Sequence, residues 1–116
     1  MRDNESKENN LHEGHRKRLR QSYLQKGSLE GFQDHQILEL LLFYAVKRQD
    51  VNPLAHRLIN RFGSLRLVLS AGTHALMEAG LSENSAALLS LVNDVGRTMD
   101  LKEALDTVIN NTDDAI

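Results

Sequence analysis

The sequence predicts an all-α fold, a compact bundle of about five to six helices. One proline in 116 residues, only five Phe and Tyr, and no alternating run of β-branched residues speak against strands. Apolar side chains instead recur at helical spacing between Gly, Ser, Asp and Asn punctuation. A chain of this length buries roughly two-thirds of its unfolded surface, enough for a core without covalent staples. The absence of cysteine excludes disulfides, thiolate metal sites and a cysteine nucleophile. No apolar run approaches the ~18 residues of a membrane span, and MRDNESKENN lacks the apolar stretch of a signal peptide. A cytoplasmic protein is the expectation, with no membrane partner.

Residues 1–11 are polar and without periodicity, which predicts a disordered tail. A first helix is expected from about Glu13 to Gln25, with Leu19, Tyr23 and Leu24 facing inward and Lys26-Gly27 ending it. Asp34 suits the N-cap of a second helix whose apolar set, Ile37 to Val46, nearly encircles it and makes it central. Asn52-Pro53 reads as a cap followed by proline in the first turn, where a missing N–H costs nothing. Leu54, Ala55, Leu58, Ile59 and Phe62 form that helix's buried stripe, and Gly63 stops it. Ser64 caps a short helix, Thr73 a second one, and Gly80-Leu81-Ser82 turns the chain into a long helix reaching at least Met99. Ala86, Leu88, Leu89, Leu91, Val92 and Val95 are assigned to its inner side. From about Asn110 the chain reads as Asn/Asp-rich linker.

Charge is divided along the chain. Residues 1–66 hold 12 Lys/Arg against 8 Asp/Glu, whereas residues 67–116 hold 2 against 8. The first half is therefore the candidate for an anionic partner, since affinity for a polyanion comes largely from clustered cations and the counterions they displace. Arg16, Lys17, Arg18 and Arg20 form the densest cluster; at ~100° per residue they cannot share one stripe, so some of them only solvate the helix. No metal set stands out: His12 and His15 are spaced i, i+3 but lack a third ligand at convincing spacing, and no metal or other cofactor is expected. Glu39, inside an otherwise apolar helix, is expected at its polar edge or paired with Arg57 or Arg61. Phe32, Phe43, Phe62, Tyr23 and Tyr44 are too few for a base-stacking platform and read as core. No catalytic triad or acid–base pair is apparent, so the chain is not read as an enzyme.

Leu76-Met-Glu-Ala-Gly-Leu-Ser-Glu-Asn-Ser-Ala86 is similar to a helix-hairpin-helix element, in which an apolar residue sits between two glycines at a tight turn. Such glycines let backbone approach a nucleic-acid strand, while free N–H groups at the following helix point at a phosphate. Gly80 and Leu81 fit the first glycine and the apolar plug. Ser82 replaces the second glycine and Glu83 adds a repulsive charge, so the motif is degenerate. Preceded by His12-Glu-Gly-His-Arg-Lys-Arg-Leu-Arg20, Gly31 to Tyr44 and Asn52 to Leu65, the ordered series resembles the N-terminal domain of the RadC family of bacterial DNA repair proteins. The resemblance divides the chain into a tail at 1–11, a RadC-like helical domain at 12–108 with its hairpin at 76–98, and a linker start or artificial chain end at 109–116. It implies a C-terminal JAMM-type metalloprotease-like domain, whose His-x-His motif does not occur in this sequence. It also implies a DNA-repair-associated accessory role, with DNA phosphates met by backbone around Gly80, Leu81 and Ser82 and by Arg16, Lys17 and Arg20. The alternative is a protein-docking or intramolecular regulatory module, with the JAMM-type domain or another protein as its partner, that keeps the hairpin only as scaffold.

Overall fold

The computed structural model describes residues 2–47 and 49–114, with side chains at 11, 13–47 and 49–109. The described residues are all-helical and form six helices: α1 (Arg2–Lys26), α2 (Asp34–Leu42), α3 (Asn52–Phe62), α4 (Leu65–Leu69), α5 (Thr73–Glu78) and α6 (Glu83–Asp114). The core joins α2 through α6, with Leu38, Leu42, Val51, Ala55, Leu58, Val68, Leu76, Leu81, Ala86 and Leu89 all buried. Long α1 and α6 extend from this centre and stretch the molecule to 74 Å.

Both ends depart from the sequence reading. Helix α1 starts at Arg2, so helical backbone runs through the expected tail; no proline or glycine precedes Gly14 to interrupt it. Helix α6 likewise continues to Asp114 through the stretch assigned to linker. Among the described side chains of α1 only Leu19 is buried, while Tyr23 and Leu24, expected to face inward, are 39% and 68% exposed. The reason is that α1 packs chiefly on α2, which calls for a narrow stripe. The same holds on α6: Leu91 and Val95 face solvent although Ala86 and Leu89 are fully buried.

Three caps lie one residue earlier than expected. Gln33 precedes α2, its N–H donating to Gln36 Oε1 at 3.0 Å. Asp34, inside the first turn, instead accepts from Leu65 N–H at 3.3 Å and so serves the start of α4 from across the chain. Val51 precedes α3, with Asp50 Oδ1 accepting from Asn52 N–H at 3.0 Å. Gly72, at φ +93°, precedes α5 in place of Thr73, a left-handed entry that a β-branched side chain adopts only with strain. Ser64 caps α4 as expected, accepting from Leu67 N–H at 3.2 Å.

Candidate nucleic-acid interface

The hairpin between α5 and α6 is closed by its own hydrogen bonds. Gly80 N–H donates to Met77 O at 3.0 Å and Leu81 N–H to Leu76 O at 3.1 Å. This paired arrangement is a Schellman motif, and the two apolar side chains that flank such a motif, Leu81 and Leu76, both lie in the core. Gly80 holds φ +106°, the left-handed value the motif requires. Ser82 then caps α6: its Oγ accepts from Ser85 N–H at 3.2 Å and donates to the buried Ser85 Oγ at 3.0 Å. The N–H groups of Gly80 and Leu81, expected to meet phosphate, are thus spent inside the hairpin, and the Ser82 side chain occupies the place of the second glycine. An alanine at Gly80 meets open space, so Gly80→Ala costs only backbone strain, about 1–2 kcal/mol, read as a fall in the urea midpoint at unchanged slope.

The basic cluster sits on a different helix pair. Arg16, Lys17 and Arg20 belong to α1, which packs on α2, whereas α5 and α6 pack on each other. The three are not equivalent. Lys17 and Arg20 are exposed and, three residues apart, share a face. Arg16 is half-buried: its guanidinium stands 5.1 Å from the centre of the Phe43 ring and donates to Gln49 O. Burial pulls its pKa down, with Asp50 and Glu13 opposing the fall. The expectation that Arg16 is a free surface cation is therefore corrected, because the turn after α2 recruits it as a tie. Arg18 is exposed and folds back along its own helix over Gly14.

Beside that tie lies a contact the sequence did not announce. Glu39 is 1% exposed and accepts from His15 Nε2 at 3.2 Å, while the His15 ring meets Phe43 edge-on. Neither Arg57 nor Arg61 is its partner. A carboxylate amid Leu38, Leu40 and Leu42 was the available signal, but a partner 24 residues upstream cannot be read from spacing. His15→Ala strips this buried acceptor and destabilises by about 1–3 kcal/mol, measured by thermal unfolding. The side chain of His12 lies outside the described residues, as does Arg48. His35 and His56 stack at 4.3 Å and join α2 to α3, and His74 pairs with Glu78 within α5 at 3.1 Å. Among the described residues no three His, Asp or Glu side chains gather as a metal site, and no helix is long and apolar enough to cross a membrane.

A third feature is an apolar groove between α1 and α2, lined by Tyr23, Leu29, Ile37, Leu40, Leu41 and Tyr44 with Arg20 among them. Tyr44 is 72% exposed there, so the expectation that this tyrosine is core is overturned; α2 ends at Leu42 and the following turn swings it outward.

These elements define a class: a small all-helical domain closed by an α-hairpin, with a basic first helix. Over 84 residues the chain is 39% identical to the UPF0758 protein FN0909 of Fusobacterium nucleatum, a similarity that covers 72% of this chain and 36% of that protein. The chain thus spans little more than a third of that relative's length. No protein-family model matches it, and neither does any solved structure.

Proposed function

We propose that this chain is a non-enzymatic accessory domain of a RadC-like protein, which contacts nucleic-acid phosphates through the exposed cations of α1 and uses the hairpin as scaffold. The resemblance of the ordered series from His12 to Ala86 to the RadC N-terminal domain supports the family, as does the UPF0758 relative. In a longer protein of that kind the domain would position a C-terminal JAMM-type domain on its target. The observation that carries the contact is the Lys17–Arg20 face: both side chains are exposed and form no ion pair among the described residues, so they are free to displace counterions from a phosphate backbone. Residues 16–26 carry five cations and no acid. The test is fluorescence anisotropy of this chain against single-stranded, duplex and forked DNA over a salt series. Each phosphate engaged steepens the fall of log affinity with log salt by about 0.9 on duplex. A slope of about two contacts or more supports the reading, and absence of binding at about 50 mM salt removes it.

A second reading, protein docking, is favoured by the apolar groove beside α1 and by the exposed apolar side chains of α6.

A further inference from the structure

We propose that the chain forms a two-fold dimer in which the C-terminal half of α6 from each copy docks into the α1–α2 groove of the other. Every described side chain from Asp94 to Ile109 is exposed, an arm of about 24 Å at 1.5 Å per residue. That arm nevertheless presents Val95, Met99, Leu101, Leu105 and Ile109, each more than half exposed. Val95, Met99, Leu105 and Ile109 fall within about 120° of one another around the helix, and an exposed apolar stripe marks an interaction surface. Because the arm continues one unbroken helix from Glu83, it cannot fold back onto the groove of its own chain.

The groove supplies a matching surface. Its volume of about 200 Å³ falls below the roughly 300–1,000 Å³ typical of small-molecule sites and suits aliphatic side chains. Tyr23, Leu29 and Tyr44 leave it open to solvent. Charge selects the occupant. The arm carries Asp94, Asp100, Glu103 and Asp106 against Arg97 and Lys102, whereas the groove is lined by Arg20 on a helix segment, residues 16–26, that has five cations and no acid. Arm against groove brings opposite potentials together, while arm against arm sets like charges side by side. Each copy owns one arm and one groove, so reciprocal docking closes at two copies and leaves neither surface open. Arg20 lines this groove, so an arm and a phosphate backbone would compete for it, and the dimer is tested without DNA.

Sedimentation equilibrium of the 116-residue chain without DNA tests it, over about 1–200 μM, a range that captures micromolar association. Twice the 13.1 kDa chain mass is expected at the upper end. Leu105→Asp on the arm and Tyr44→Asp in the groove each raise the dissociation constant at least tenfold, with circular dichroism unchanged because both side chains lie outside the core. A monomer throughout the range overturns the proposal, and so does a dimer that survives either variant. Loss with Leu105→Asp but not with Tyr44→Asp specifically replaces the groove by arm-to-arm pairing.

Discussion

Replacing Leu89 with alanine lowers the unfolding free energy by about 2–5 kcal/mol, the largest loss expected from a single substitution in α6. Leu89 has no exposed surface and joins the cluster of Leu38, Leu42, Val51, Leu58 and Leu76. Its removal therefore loses transfer free energy and leaves a cavity where five helices meet. Domains of this size are stable by about 5–15 kcal/mol, so the variant melts earlier by about 10 °C or more. Leu91, two residues on and 59% exposed, lies about 200° around the helix. Leu91→Ala changes stability by less than about 0.5 kcal/mol. Paired urea titrations of the two variants check the contrast, and equal losses would mean that α6 is rotated from its assigned face.

That contrast also explains what the sequence could reveal. Helix signals here are local. Ser64 before Leu65, Gly63 after Phe62 and the Gly80-Leu81 turn act over four or five residues, so the order and number of helices could be read directly. Which face each helix buries depends on how many neighbours it has. Ile37 to Val46 reads as encircled by apolar residues, and α2 does sit at the centre; Tyr44 escapes burial because the helix stops at Leu42 and the chain turns. The Leu24, Leu91 and Val95 assignments fail for the same reason, since periodicity marks an apolar stripe without showing whether anything covers it. Helical backbone through residues 2–11 was equally hidden, because polar composition predicts little burial and Glu, Lys and Arg are nevertheless good helix formers.

The candidate site divides along the same line. The hairpin was legible from Gly80 and Leu81, since a left-handed glycine followed by an apolar residue is the local signature of a helix stop. Its chemistry was not, because the same geometry that places those N–H groups at the turn also satisfies them with the carbonyls of Met77 and Leu76. Arg16 illustrates the non-local part: its tie to Phe43 and Gln49 joins residues about thirty apart in sequence. Four adjacent cations look alike in a sequence, yet the fold uses one as a strut and leaves Lys17 and Arg20 as the pair open to a ligand.

Lys17→Glu/Arg20→Glu is accordingly expected to weaken DNA affinity at least tenfold at about 50 mM salt and to flatten its salt dependence by about two contacts. Reversing two exposed cations replaces attraction by repulsion across the face that three-residue spacing creates, while Leu19 between them keeps α1 seated on α2. Surface changes of this kind leave stability nearly untouched. Arg16→Glu behaves differently, because it places a carboxylate against Phe43 and beside Asp50 and removes the donor to Gln49 O. Its signature is loss of stability, with any loss of DNA affinity following from the displaced helix. Leu105→Asp is the remaining control: it breaks self-association on the α6 arm and replaces no cation, so it does not lower DNA affinity. Measured together by anisotropy and thermal unfolding, the three variants separate phosphate contact, strut and dimer. Wild-type affinity in a folded Lys17→Glu/Arg20→Glu chain would dismiss α1 as the nucleic-acid face.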